Sequence, residues 1–280
     1  MKVYWLEQTE ADLPNGGTGV PPVDGHAQDG PATRPESEWL GAKERVQLSA
    51  MRFAKRRADW QLGRWTAKHA LAACLCLPDD HLVLAKIELR SASSGAPEVF
   101  FANKPAPATI SLSHREGIAV CAVALQSGAL GCDLEMIEAR SDAFLADYFT
   151  IEEQELVAQT PEDDRSRLLA LLWSAKESAL KALHAGLRLD TRSVSVLPPI
   201  LGRRRFGSGE GCIEQAAFGE QPAESLEPWL RLHVRCHHGQ CFHGWWKQTG
   251  RFVRTVLATE LALPPTLLTP SGRPATPVPS

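Results

Sequence analysis

The sequence predicts an α+β fold, and three observations carry that prediction. Helical and strand-like patterns come in clusters rather than in strict alternation, which disfavours a doubly wound sheet. A long helical pattern followed by short strand patterns occurs twice along the chain. Of the 280 residues, 44% are hydrophobic, enough to pack one large domain or two small ones. The 33 acidic and 30 basic side chains leave a charge of −3, against the strongly basic balance of a dedicated nucleic-acid binder. No apolar run approaches the roughly 18 residues of a membrane span. The opening MKVYWLEQTE has no apolar signal core, so the expectation is a soluble, cytoplasmic chain.

The elements follow in order. MKVYWLEQ alternates as a first strand. Leu13 to Glu38 is rich in Gly and Pro with little to bury, and reads as a disordered insert. Trp39 to Leu77 is helical in two pieces, the second from about Phe53. Leu82 to Leu89 reads as a strand, and Ala108 to Leu125 as a hairpin turning near Arg115–Gly117. Ala129 to Ile137 is a further strand with a bend at Gly131. Thr150 with Glu153 three residues on is a capping box that starts a helix. Leu168, Leu172, Ala175, Ala179 and Leu183 stripe a helix over Arg165–Leu183, with Gly186 just past its end. Short strands are expected at Ser193–Leu197, Cys212–Phe218, Leu230–Cys236, Gln240–Trp246 and Phe252–Ala258, then a loose Pro-rich tail from 261 to 280. Seven cysteines, with Cys74, Cys76, Cys121 and Cys132 in apolar or strand-like runs, look like reduced thiols used as small hydrophobes. Cys236-His-His-Gly-Gln-Cys241-Phe-His243 superficially resembles a zinc site, but without a second ligand pair it reads as a turn between strands.

Three constellations carry chemistry. In Gly131-Cys-Asp133-Leu-Glu135 the strand period puts two carboxylates on one face. They repel unless a cation sits between them or one stays protonated, and Mg²⁺ suits carboxylates shared with phosphates and water. A solvated strand end with two ordinary acids fits the same residues. Trp173, Glu177 and Lys181 are spaced i, i+4, i+8 along one helix flank. A routine surface Glu–Lys pair explains the last two, yet the Trp implies a covered flank on which Glu177 needs a partner such as a metal at Asp133 and Glu135. Ser113 and His114 end a strand and offer a hydroxyl and a ring N–H to a phosphate, or are simply exposed. Arg52 to Lys68 is densely basic, and Arg64 with Lys68 at i, i+4 could clamp one phosphate.

In order and spacing these motifs resemble the 4′-phosphopantetheinyl transferase superfamily, in its monomeric surfactin-type branch. The carriers are Gly63-Arg64…Lys68, Ser113-His114, Gly131-x-Asp133-x-Glu135, Tyr148-Phe149-Thr150…Glu153 and Trp173-x-x-Lys176-Glu177-x-x-x-Lys181. The resemblance spans about Trp39 to Leu197. It implies two similar α+β lobes about a pseudo-twofold axis, each a small, mainly antiparallel sheet with a long helix. On this chain those would be residues 1–126 and 127–260, the second carrying the metal site. It also implies coenzyme A in the cleft between them as substrate, Mg²⁺ on its pyrophosphate, and an apo acyl, peptidyl or aryl carrier protein as acceptor, with 3′,5′-ADP released. By position Asp133, Glu135 and Glu177 would be the metal ligands. Ser113, His114, Arg64, Lys68 and Lys181 would be the coenzyme A contacts, with Glu177 and Lys181 catalytic. The family often has Gly-Lys-Pro where this chain has Gly95-Ala96-Pro97, so that contact is missing or comes from elsewhere, with Lys104 as a candidate. Two other readings compete: a protein that binds coenzyme A or a carrier without turnover, and a nucleic-acid binder using Arg52–Lys68 and Arg203–Arg205.

Overall fold

A computed structural model describes residues 1–14, 37–197, 228–236 and 239–269. Most of the expected 13–38 insert, the expected Cys212–Phe218 strand, the basic Arg203–Arg205 and most of the tail lie outside the described residues. In order the elements are β1 (Tyr4–Thr9), α1 (Ala42–Ser49), α2 (Ala54–Cys74), α3 (His81–Leu84), β2 (Ile87–Ser91), β3 (Pro97–Phe101), β4 (Lys104–Pro105), β5 (Thr109–Arg115) and β6 (Ile118–Ala124). They continue with β7 (Leu130–Met136), α4 (Asp142–Tyr148), α5 (Ile151–Gln159), α6 (Glu162–Ala182), β8 (Val194–Val196), β9 (Leu230–Cys236), β10 (Cys241–Thr249), β11 (Phe252–Ala258) and β12 (Thr266–Leu267).

The fold is α+β. One sheet runs β12-β1-β6-β5, a second β7-β11-β10-β9-β8, and a small third β2-β3-β4. All pairings are antiparallel except β1 with β12. The layers follow from alternation along the strands. Val120 and Ala122 of β6 meet Cys132 and Leu134 of β7 and Val256 of β11 in a core between the first two sheets. Leu6, Ile110 and Cys121 face the other way onto Trp65, Ala67 and Leu71 of α2. Leu232, Phe242 and Leu257 likewise face Leu168, Leu172 and Ala179 of α6. The order through the molecule is therefore helix, sheet, sheet, helix.

Several expectations need correction. His81–Leu84 is a helical turn, not the start of a strand, because the Asp80 carboxylate accepts from the Leu82 and Val83 N–H groups and caps it. The strand begins at Ile87 and pairs with β3, whose sequence carries no clear alternation. Helix α4 had no sequence expectation either, although Ser141 caps it. The tail is not loose where it starts, since Thr266 and Leu267 pair with Tyr4 and Trp5. Cys76 is exposed, unlike the buried free thiols Cys74, Cys121 and Cys132. The hairpin turns at Glu116 and Gly117, with φ of 47° and 72°, the pair of positive values a two-residue hairpin turn demands.

A residue-level repeat also emerges. Trp65-Thr-Ala-Lys68 and Trp173-Ser-Ala-Lys176 occupy the same place in two 21-residue helices. Both lysines are fully buried. Lys68 Nζ donates to Glu44 Oε2 (2.6 Å) and to the carbonyls of Trp39 and Leu84, both at 3.0 Å. Lys176 Nζ donates to Glu153 Oε2 (2.8 Å) and to the carbonyls of Thr191 and Val194. Each glutamate is the third residue of a helix and accepts from the backbone N–H that precedes it, Gly41 or Thr150. Its other oxygen takes a strand N–H, Leu89 or Val196. All three donors of each ammonium are used, which makes a buried charge tolerable.

Removing one partner leaves the other charge buried and unpaired, at a cost of about 3–5 kcal/mol. Glu153→Ala and Glu44→Ala are each expected to lower the unfolding free energy measured in urea by an amount in that range. A shift under about 1 kcal/mol, the range of an exposed pair, would show these to be surface-type pairs.

Candidate active site at the seam of two sheets

Strands β5 and β7 are edge strands of different sheets, and they run beside each other without a shared ladder. Side chains stitch the seam. The Cys132 N–H donates to Ser111 Oγ (2.9 Å), and Ser113 Oγ donates to Asp133 Oδ1 (2.8 Å). On β7 the period of two sends Cys132 and Leu134 into the intersheet core and turns Gly131, Asp133 and Glu135 the other way. Gly131 does not bend the strand. A Cβ there would stand 1.7 Å from the Ser178 carbonyl of α6, so glycine is what lets the helix lie directly on the strand. That approach delivers Lys181 Nζ to Asp133 Oδ1 (2.7 Å) and to the Cys132 carbonyl (3.0 Å).

Asp133 is buried, and its second oxygen, Oδ2, has no hydrogen-bond partner. Burial is the largest single influence on the Lys181 ammonium and works against it, but Asp133, Cys132 and Glu177 together hold the pKa above the ordinary lysine value. Burial and then Asp133 raise Glu135 to about 7, with Arg115 and Arg140 pulling the other way. Arg140 Nη2 lies 3.3 Å from Glu135 Oε2, and both arginines also grip Glu138. Burial and Asp133 likewise raise Glu177, one turn before Lys181 on α6. Trp173, the first member of that flank, packs among Phe144, Tyr148 and Phe149 and so covers it as expected.

Whether these carboxylates suit a divalent metal can be tested on their own chemistry. The donors are all oxygen, one buried oxygen of Asp133 is unpaired, and the three acids penalise one another's charge. These features suit a hard cation such as Mg²⁺. The acids are nevertheless not gathered into a ligand set, since among the described residues no three His, Cys, Asp or Glu side chains stand close enough to hold a metal. Lys181, Arg115 and Arg140 supply the compensating charge on Asp133 and Glu135.

Two cavities flank the seam. One of about 700 Å³ is walled by Arg64, Arg90, Lys181, His184 and Arg188, with no carboxylate among its lining residues. The other, about 620 Å³, is walled by Lys55, Arg56, Asp59, Arg64, Ser113 and His114. Arg64 therefore stands between them, its Nε buried without an acceptor and its guanidinium 4.0 Å from the Trp60 ring. His114 is exposed, 3.9 Å from Asp59, and burial of its ring edge lowers its pKa against the pull of that acid. The structure thus brings together Asp133, Glu135, Glu177, Lys181, Ser113, His114 and Arg64.

Lys68 is the exception and needs correction. Its ammonium is enclosed by Glu44 and two carbonyls, so it cannot clamp a phosphate with Arg64. The i, i+4 spacing is met by both, but Arg64 reaches outward while Lys68 turns into the core. Lys104 is exposed and is not among the residues lining the larger cavity, whereas Arg188 shares that wall with Ala96 and donates to the Ser94 carbonyl. Arg90, Arg188, Arg115 and Arg140 had no sequence expectation of a site role. Nothing local links a residue past the end of α6 to a turn near 95.

Comparison with known proteins adds two findings. Residues 129–219 match the family model described as the 4′-phosphopantetheinyl transferase superfamily. The chain is also 24% identical over 213 residues to 4′-phosphopantetheinyl transferase HetI of Nostoc sp. (strain PCC 7120), covering 69% of this chain and 87% of that relative. Both findings support that superfamily.

Glu135 supplies a test that needs no ligand. A carboxyl raised from 4.5 to about 7 in the fold contributes stability that is present below 4.5 and lost as pH rises through about 7. In chelator, Glu135→Gln is expected to match the wild type in thermal unfolding at about pH 4 and to exceed it at about pH 8. An offset that is the same at both values would refute the shift.

Proposed function

We propose that this chain transfers the 4′-phosphopantetheine arm of coenzyme A to a serine hydroxyl of an apo carrier protein and releases 3′,5′-ADP. The observation that carries this reading is buried Asp133, one oxygen on Lys181 and the other unpaired, beside Glu135 and Glu177 at the edge of a cavity walled by cations. A cationic cavity next to a cluster of acids suits a polyphosphate substrate and the metal that accompanies it. The superfamily match and the motif order support the same reading. Both long helices and their repeated Trp-x-x-Lys segments lie in one chain, which supports a monomer of the surfactin-type branch; a cytoplasmic location is part of the same proposal.

Asp133, Glu135 and Glu177, which are not a ligand set as they stand, would have to draw together to hold Mg²⁺, which when bound neutralises charge on the pyrophosphate and on the departing oxygen. Arg64, Arg90 and Arg188 bind phosphate oxygens through charge-assisted hydrogen bonds, with Ser113 and His114 in the adjoining cavity that Arg64 shares. Glu177, its pKa raised by burial and by Asp133, accepts the proton of the carrier serine as its oxygen attacks the β-phosphorus. The new O–P bond forms as the bond to 3′,5′-ADP breaks. Lys181 donates to the departing phosphate oxygen, an interaction that strengthens as charge builds there. The surrounding Trp173 cluster holds α6 so that Glu177 and Lys181 keep their spacing.

The test is intact-protein mass spectrometry of an apo carrier protein incubated with this chain, coenzyme A and Mg²⁺. The expected result is a gain of one phosphopantetheine arm, abolished by chelation. Asp133→Ala and Lys181→Ala should each slow transfer by at least about a hundredfold while leaving the fold intact. Full activity in Asp133→Ala would overturn the assignment of the site. Binding of coenzyme A with no mass gain on any carrier type would favour a binding protein without turnover. In the same assay Arg188→Ala should raise KM for coenzyme A roughly 10- to 100-fold with kcat little changed, the signature of lost ground-state phosphate binding.

A further inference from the structure

The hairpin of β9 and β10 presents a second, separate constellation. Along β9 the buried Leu232, Val234 and Cys236 alternate with outward Arg231, His233 and Arg235. Along β10 Phe242 and Gly244 are buried, and Cys241 and His243 face outward. The register sets His233 directly opposite His243. Their rings stand nearly perpendicular, at 85° with centroids 5.0 Å apart, and the two Nδ1 atoms are 2.9 Å apart. One Nδ1 must donate and the other accept, so the accepting ring carries its proton on Nε2. Of the charged and titratable groups around them, Arg231 is turned onto Trp245 and the carbonyls of Leu261 and Ala262, and Arg235 sits opposite Cys241. Burial, with His243 and Arg231, pushes the His233 pKa down, which favours the neutral ring a metal requires.

The separation of the two nitrogens is informative. Two metal–nitrogen bonds of about 2.0–2.1 Å meeting at a right angle place their nitrogens about 2.9 Å apart, whereas a tetrahedral angle needs about 3.3–3.4 Å. We propose that His233 and His243 form a cross-strand two-histidine chelate for a borderline transition-metal cation, Cu²⁺ or Ni²⁺ in preference to Zn²⁺. The right-angle spacing suits the tetragonal geometry of the first two, and the intrinsic affinity order puts Cu²⁺ highest. Among the described residues no third His, Cys, Asp or Glu stands close enough to complete a set. The chelate replaces the ring-to-ring hydrogen bond and ties the two strands together. It lies on the face of the sheet opposite α6, so it is independent of Asp133 and of the transferase reading.

Calorimetric titration of the full chain with Ni²⁺, in a millimolar excess of Mg²⁺ to occupy hard oxygen sites, tests it. The expected result is one Ni²⁺ per chain, weakened at least about tenfold by His233→Ala or by His243→Ala. Both positions are exposed, and circular dichroism verifies that the variants fold. A rise in melting temperature on adding Ni²⁺ to the wild type, absent in the double variant, gives a second readout. Absence of Ni²⁺ binding by the wild type, or binding by either variant within about twofold of it, would overturn the proposal.

Discussion

Two buried ammonium groups organise this molecule. Lys68 and Lys176 each collect a helix start, a strand N–H and two further backbone carbonyls around one charge, through Glu44 and Glu153. A charge in the core is costly unless every donor is matched, so the surrounding backbone has little freedom. That constraint fixes where α2 and α6 lie on their sheets. The lysine of α6 sits one residue before Glu177 and five before Lys181, so its anchoring sets the height and rotation of the chemical groups. The same arrangement around Lys68 carries different neighbours, His69 where α6 has Glu177 and Ala73 where it has Lys181, and it bears no acidic cluster.

The seam between β5 and β7 converts this scaffold into a site. Backbone pairing ends at each sheet edge, and the exposed strand edges are bridged by side chains instead, Ser111 to Cys132 and Ser113 to Asp133. A site built on two edges can hold carboxylates from one sheet, hydroxyl and imidazole groups from the other, and cations from both helices. Its charge balance is local. Each acid is desolvated and each has a cation at hand, with one oxygen of Asp133 left over.

Much of this was legible in the sequence where a short period governs geometry. Asp133 and Glu135 share a face because strands alternate, and Glu177 and Lys181 share a flank because helices repeat every three to four residues. The capping box at Thr150 and the hairpin at Gly117 are equally local. What stayed hidden depends on distance along the chain. Arg64 and Lys68 carry the same charge one turn apart, yet their roles diverge because Lys68 is enclosed by the carbonyls of Trp39 and Leu84 and lies 2.6 Å from Glu44, while Arg64 stays 3.8 Å from that carboxylate and lines the cavities. The reach of Arg188 to the Ser94 turn and the grip of Arg140 on Glu135 are products of packing. The repeated segment was present in the letters, but a match of three residues in four gains meaning through the matching contacts of its lysines.

The pairing of β1 with β12 bears on how the chain is made. Tyr4 and Trp5 find their parallel neighbours only at Thr266 and Leu267, about 260 residues later, and Glu7 is held by Arg254 of β11. During synthesis the first strand leaves the ribosome long before either partner exists. Helix α2 and the β5–β6 hairpin can assemble beneath β1 early, but the outer edge of that sheet stays open until Thr266 and Leu267 have been made. A chain shortened by as little as its last described strand would carry an unpaired edge, an invitation to pair with another copy.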